Sequence, residues 1–128
     1  MTYEETLHYL YTSIPVFQHS GASAYKPGLG TSIALDDYLG NPHKAYKTIH
    51  VAGTNGKGSV SHLLAAILRQ SGFKVGLYTS PHLVDFRERI RVNGKKISQD
   101  YVVDFVERHR SFFAVSYTHL TLPTILRV

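Results

Sequence analysis

The 128-residue sequence predicts an α/β fold: a parallel sheet flanked by helices, with a phosphate-type glycine loop after its first strand and a β-hairpin after its second. Three observations predict it. A short β-prone run, Thr48-Ile49-His50-Val51-Ala52, leads straight into Gly53-Thr54-Asn55-Gly56-Lys57-Gly58-Ser59. Val60, Leu63, Leu64, Ile67 and Leu68 then recur at helical spacing as far as Gly72. A second β-prone run, Val75-Gly76-Leu77-Tyr78, follows almost at once, which makes the order that of one right-handed βαβ unit.

Residues 2–14 form a helix, because Thr2 and Glu5 have the spacing of a capping box and Leu7, Leu10 and Ile14 share one side before Pro15. Residues 15–29 are a loop rich in Gly, Ser and Pro. A short helix near 31–39 is closed by Gly40 and the Asn41-Pro42 stop. Past Tyr78, Arg89–Val92 and Lys95–Ile97 flank Asn93-Gly94, a pair that favours positive φ at both central positions and so marks a two-residue hairpin. Ser98 caps a last helix running to about Phe112, with Val102, Phe105, Val106 and Phe113 as its apolar stripe. In a sheet lacking further strands, Val102 and Phe105 are expected to be left bare and the sheet edge open.

Composition bounds the function classes. With 43% hydrophobic and 18% charged residues the chain has the make-up of an ordinary globular domain. Its apolar runs are far shorter than the roughly 18 residues a membrane helix needs, so no membrane partner is expected. The acidic start, Met1-Thr2-Tyr3-Glu4-Glu5, lacks the basic-then-apolar order of a secretory signal. Zero cysteines exclude a disulfide framework or a thiolate metal site, and the expected location is cytoplasmic. Of the fourteen basic residues, Arg87, Arg89, Arg91, Lys95 and Lys96 fall within ten positions, alternating with Glu88, Ile90 and Val92. A solvated strand face explains that pattern best. A rim for an anionic ligand comes second. Nucleic acid is not expected, because no aromatic stacking residues are interleaved at 87–97.

The glycine loop carries the chemistry. A phosphate needs several inward-pointing backbone N–H donors with a positive helix end behind them, and glycines let the chain turn those donors inward. A lysine adds charge, and a serine hydroxyl reaches the phosphate or its Mg²⁺. The strict Walker spacing fails twice: Val51 stands where its first glycine belongs, and Gly58 separates Lys57 from the hydroxyl of Ser59. On spacing alone, a glycine-rich turn without a ligand remains an alternative.

The variant loop Val51-Ala52-Gly53-Thr54-Asn55-Gly56-Lys57-Gly58-Ser59 resembles that of the folylpolyglutamate and dihydrofolate synthases of the Mur ligase superfamily. A second segment, Tyr78-Thr79-Ser80-Pro81-His82-Leu83 followed by Phe86-Arg87-Glu88-Arg89-Ile90 and Asn93-Gly94, resembles that family's second signature. The similarity runs from about Thr2 to Phe113. It implies the P-loop-containing central, ATP-binding domain of a Mur ligase, truncated within residues 1–113. It also implies an ATP-dependent ligase that adds L-glutamate to a dihydropteroate or folate carboxylate through an acyl phosphate.

The resemblance implies roles residue by residue. Lys57 and the backbone N–H groups from Gly53, Thr54, Asn55, Gly56, Gly58 and Ser59 would bind the β- and γ-phosphates of ATP, with Lys57 catalytic. Ser80 matches the Mg²⁺ ligand, and Ser59 is a further Mg²⁺ or phosphate contact. Lys26-Pro27-Gly28-Leu29 matches a segment bordering the pterin pocket, and Arg89 approaches the substrate carboxylates unless strand-face solvation alone accounts for it. His50, His62 and His82 are given no catalytic part. The complete enzyme is expected to be a monomer acting on small molecules.

Two departures stand out. The family's further metal ligands, carbamylated lysine and glutamate-binding domain have no counterpart, so these residues alone are expected to be inactive. In addition, Val115-Ser116-Tyr117-Thr118-His119-Leu120-Thr121-Leu122-Pro123-Thr124 does not resemble the family. These ten residues translate a transposase adapter used in sequencing libraries, read as GTC TCT TAT ACA CAT CTG ACG CTG CCG ACG, so residues 114–128 are expected to be a non-native tail. Two other functions compete: a peptidoglycan-type Mur ligase, which Gly58 and Ser80-Pro81-His82-Leu83 disfavour, and a non-catalytic nucleotide-binding module.

Overall fold

The computed structural model describes residues 1–13 and 30–116; Lys26–Leu29, expected to border a pterin pocket, and most of the expected tail lie outside the described residues. The chain divides into two compact units. The first is built from Met1–Tyr46 with the segment from Gln99 onward, the second from Lys47–Ser98.

In the first unit, α1 spans Tyr3–Ser13 and starts as expected. The Glu5 N–H donates to Thr2 Oγ1 at 3.1 Å, and the Thr2 N–H donates back to Glu5 Oε2 at 2.8 Å. Both orphan donors are thereby satisfied. The most buried residue of α1 is not Leu7 or Leu10 but Thr6, at 0% exposure. Its hydroxyl donates to the Thr2 carbonyl at 2.7 Å, so it enters the interior with its hydrogen bond made. The next helix, α2 (Gly30–Tyr38), ends where Gly40 (φ 81°) and Asn41 (φ 53°) turn left-handed. Their N–H groups donate to the Asp37 and Asp36 carbonyls at 3.1 and 2.8 Å. Asp36 also meets His43 Nδ1 at 2.8 Å.

The long helix of this unit, labelled α4 in chain order, spans Gln99–Ser116, overrunning the expected end near Phe112. It packs against α1. Val102, Val106 and Phe113 are buried and Phe105 is half-buried, which corrects the expectation that Val102 and Phe105 would be bare. Contact between α1 and α4 supplies that cover. The aromatic side of α4 is further occupied by Tyr38, which stacks on Phe112 at 4.0 Å and 11°.

In the second unit, α3 (Lys57–Gln70) packs on β1 (Gly76–Tyr78). The helix stops in a Schellman arrangement: Gly72 (φ 94°) donates to the Arg69 carbonyl at 3.0 Å and Phe73 to the Leu68 carbonyl at 3.1 Å. The hairpin forms as read. β2 (Ile90–Val92) and β3 (Lys95–Lys96) pair antiparallel around Asn93 (φ 50°) and Gly94 (φ 82°). Asn93 also locks the turn to Val75, donating from its N–H and accepting at Oδ1, both at 2.8 Å.

The sheet differs from expectation in its pairing. β1 runs antiparallel to β2, with Leu77 opposite Arg91, and the order is β1-β2-β3. Thr48–Ala52 contributes only a single bridge residue, His50, and the two strand pairs among the described residues are both antiparallel. Parallel pairs hold where both faces are covered, whereas Ile49 is 41% exposed here. Three of the five residues of the α3 stripe, Val60, Leu63 and Ile67, are also bare, and the residue fully buried on this helix is Ser61. Helical spacing identifies a face and does not supply its cover.

Candidate functional site: the glycine loop and the serine–proline turn

The loop from Gly53 to Gly56 delivers the chain into α3 through a left-handed residue. Gly56 is the N-cap, at φ 79° and ψ 6°, and no side chain caps the helix. Its carbonyl accepts from the Val60 N–H at 3.0 Å, the first bond of the helix. The N–H groups of Lys57, Gly58 and Ser59 therefore stand at the positive end of the helix with no intrahelical partner. Gly53, Thr54, Asn55, Gly56, Gly58 and Ser59 are exposed, and Lys57 is half-buried. The Lys57 stem folds back over the loop, its Cγ lying 4.0 Å from where a β-carbon on Gly53 would sit. The space beside Gly56 and Gly58 is open to 4 Å. Free N–H donors, a helix end, open space and an adjacent lysine fit a phosphate group.

The two glycines differ in what they tolerate. At Gly56 a side chain meets no atoms but is strained by the left-handed backbone; Gly58 is neither crowded nor left-handed. Gly56→Ala should lower stability by about 1–2 kcal/mol, while Gly58→Ala should leave it unchanged or raise it slightly. Urea denaturation of the two variants checks this, and equal losses would contradict the assigned conformation.

The second signature folds into a tied-down loop. The Ser80–Pro81 peptide bond is cis. A 3-10 turn at Phe86–Arg89 follows, and its successive charged residues each hold a different part of residues 80–85. Arg87 Nη2 donates to Asp85 Oδ2 at 2.6 Å, and the Arg87 N–H donates to Asp85 Oδ1 at 2.9 Å. Glu88 Oε1 accepts from the N–H groups of Val84 and Asp85 at 2.9 and 3.0 Å. Arg89 Nε donates to His82 Nδ1 at 2.7 Å, Arg89 Nη1 donates to Ser80 Oγ at 3.3 Å, and the guanidinium carbon stands 5.6 Å from the Phe86 ring centre. The imidazole of His82 accepts at Nδ1, so its ring proton is on Nε2.

These contacts set the electrostatics. The Arg87 side chain, then its backbone N–H, hold the Asp85 carboxyl well below the usual carboxylate range. The backbone N–H groups of Asp85 and Val84 lower that of Glu88 from 4.5. A carboxylate with a depressed folded value stabilises the fold in full above its unfolded value and loses that contribution as pH falls through the folded one. Melting temperature should therefore fall on acidification below pH 4.5. Glu88→Gln should flatten that fall, and unchanged slopes in wild type and variant would refute the contribution.

Of the sequence-predicted residues, the structure brings Ser80 and Arg89 together and draws Lys57 over Gly53. It gives the Arg89 side chain two hydrogen-bond partners within the chain and a ring beneath its guanidinium, which residue type alone does not reveal. The basic cluster also divides: Arg87 is spent on Asp85, and Arg91 Nε is buried without a hydrogen-bond partner. The donor set at Ser80 does not by itself fit Mg²⁺. Among the described residues no three His, Asp or Glu side chains converge as metal ligands, and Ser80 Oγ already accepts from a cation.

No family model matches the chain. Curated relatives do. It is 41% identical over 112 residues to the probable bifunctional folylpolyglutamate synthase/dihydropteroate synthase of Haloferax volcanii, covering 88% of this chain and 12% of that protein. It is 48% identical over 75 residues to the dihydrofolate synthase/folylpolyglutamate synthase of Bacillus subtilis, covering 59% and 17% respectively. The chain thus spans under a fifth of the length of either relative. Among solved structures, folylpolyglutamate synthase from Thermotoga maritima superposes with a TM-score of 0.74 at 46% identity, over 86% of this chain and 24% of that one. An FPGS in complex with AMPPCP and folate superposes at 0.69 with 30% identity, over 95% and 29%.

Proposed function

Because this chain belongs to the folylpolyglutamate and dihydrofolate synthase family, we propose that the complete protein uses ATP to join L-glutamate to the carboxylate of dihydropteroate or a folate. Its α/β fold is that of the Mur-ligase-type domain of these proteins. The observation that carries the reading is the uncapped start of α3, where Gly56 turns the chain and Lys57 lies beside the free N–H groups. A carboxylate and an amine do not condense unaided in water. Phosphorylating the carboxylate supplies a leaving group, and the amine then attacks the acyl phosphate. The loop's share is to hold the β- and γ-phosphates with the N–H groups of Lys57, Gly58 and Ser59 and to offset their charge with the Lys57 ammonium. The Ser59 hydroxyl is a further phosphate contact.

The family's Mg²⁺ would supply further charge neutralisation. Since the described residues do not fit it alone, no step is assigned to it. Lys26–Leu29 is proposed to border the pterin pocket, and Arg89 to approach the substrate carboxylates. Residues 1–113 are proposed as part of the ATP-binding domain. Residues 114–128 are proposed as translated adapter, and sequencing the source locus tests this: finding the Val115–Thr124 codons there would sink it. No described helix is long and apolar enough to cross a membrane; a cytoplasmic, monomeric enzyme is the proposed setting.

ADP release by the complete protein tests the function. Release should require both glutamate and a pterin-bearing acid. Release that ignores both would overturn the assignment, and dependence on a sugar-nucleotide peptide would move it to peptidoglycan chemistry.

A further inference from the structure

We propose that the sheet face carrying Arg91 and Lys96, with Arg69 of α3 beside the hairpin turn, holds the oligoglutamate tail of a substrate that has already received glutamate. The inference rests on the reading above, in which glutamate is joined to a carboxylate. Each such joining consumes one carboxylate and brings two, so every cycle adds one negative charge. The product also carries the group that a next cycle needs. A protein that takes its product back therefore has a growing polyanion to hold. The charge of the chain is divided to suit one. Of its fourteen Lys and Arg, nine lie between Lys47 and Ser98, a unit with two carboxylates, Asp85 and Glu88. The rest of the chain has five Lys and Arg against seven carboxylates.

Neither carboxylate is left to balance the hairpin. Asp85 pairs with Arg87 Nη2 at 2.6 Å and stands 3.5 Å from Lys96 Nζ, while Glu88 accepts from the N–H groups of Val84 and Asp85. Arg91 lies directly opposite Lys96 across one strand pair and opposite Leu77 across the other. Directly opposed side chains share a face, so Arg91 has a cation and an apolar residue beside it, and like charges in register destabilise each other. Its Nε is buried without an acceptor. Arg69 reaches the same turn from α3, since a β-carbon on Gly94 would collide with its guanidinium. Among the described residues no carboxylate pairs with Arg69, Arg91 or Lys95. Arginine stays charged and presents a planar fork that matches a carboxylate. Cations gathered without carboxylates between them fit a ligand that brings several at once. β2 leaves the Phe86–Arg89 turn directly, so this face is continuous in the chain with the candidate site.

Calorimetric titration of the complete protein saturated with AMPPCP decides it, with pteroyltriglutamate compared against folic acid. The triglutamate should bind at least about tenfold more tightly, the effect of one charge-assisted contact or more, and its advantage should shrink as salt is raised. Arg91→Gln should cut that advantage to about threefold or less, with the affinity for folic acid unchanged. Lys95 alternates onto the opposite face of the hairpin, so Lys95→Gln removes the same charge and should leave the advantage in place. If Arg91→Gln does not fold, the exposed pair Arg69→Gln and Lys96→Gln together carry the test. Equal affinities in the wild type overturn the tail site, as does an advantage untouched in the Arg91 variant or lost equally in Lys95→Gln; the ligase reading survives each of these. Failure of both pteroyl compounds to bind overturns the ligase reading and the tail site with it. A single-stranded oligothymidylate that binds more tightly than the triglutamate overturns the tail site in favour of nucleic acid.

Discussion

Replacing Lys57 by alanine in the complete protein should lower kcat/KM for ATP by at least tenfold. Lys57 is the one side-chain cation of the loop Gly53–Ser59, and its stem already lies across Gly53. A charge-assisted contact to phosphate contributes about 1.5–3 kcal/mol net. About 1.4 kcal/mol is one factor of ten, and more is expected where charge develops during phosphoryl transfer. His62 sits exposed on α3 beyond the loop, so His62→Ala should change little. Steady-state ADP release at varied ATP measures both. Full activity in Lys57→Ala beside loss in His62→Ala would mean that the loop does not cradle phosphate.

Phe113→Ala should cost the first unit about 3–5 kcal/mol, the largest stability loss expected of any single residue here. Phe113 is 5% exposed, and its ring lies 6.4 Å from those of Phe105 and His109 and 6.3 Å from Phe112. Truncation opens a cavity among rings that cannot close over it. Against a total stability of about 5–15 kcal/mol for a typical domain, that loss should visibly broaden or abolish cooperative unfolding. Leu63 is the matched control: at 64% exposure it packs on little, and Leu63→Ser should stay within about 0.5 kcal/mol. Urea denaturation followed by far-ultraviolet circular dichroism reads both. Comparable losses would contradict the burial assigned to α4.

The features legible in the sequence are those fixed by neighbours a few residues apart. The capping box of Thr2 and Glu5, the left-handed stop at Gly40 and Asn41, the Asn93-Gly94 hairpin and the helix start at Lys57 are each set within a turn of chain. Their hydrogen bonds leave few alternatives. What was not legible depends on distant partners. The pairing of β1 with β2 joins segments separated by the whole Ser80–Arg89 loop, and no local pattern distinguishes an antiparallel neighbour from a parallel one. The apolar spacing of Val60, Leu63 and Ile67 marks a face, yet only packing decides that this face is bare while Val102 and Val106 are covered. Thr6 is not legible as a core residue because a threonine reads as polar until its hydroxyl is satisfied by the carbonyl of Thr2.

The candidate site divides in the same way. The glycine loop is one continuous segment whose residue types match the demands of a phosphate, so its position and its lysine could be read directly. The ties of Arg89 to His82 and Ser80 arise from a 3-10 turn that folds the chain back on itself, and alternation along 87–92 suggested a plain strand face instead. Periodicity misled there because the turn breaks the strand before Ile90.

The position of the nucleotide phosphates tests the role of the glycine loop most directly. A crystal structure of the complete protein with AMPPCP should place its β- or γ-phosphate oxygens about 2.7–3.2 Å from the N–H nitrogens of Lys57, Gly58 and Ser59, with the Lys57 ammonium against the same oxygens. Phosphates bound away from the start of α3, with Lys57 pointing into solvent, would contradict it.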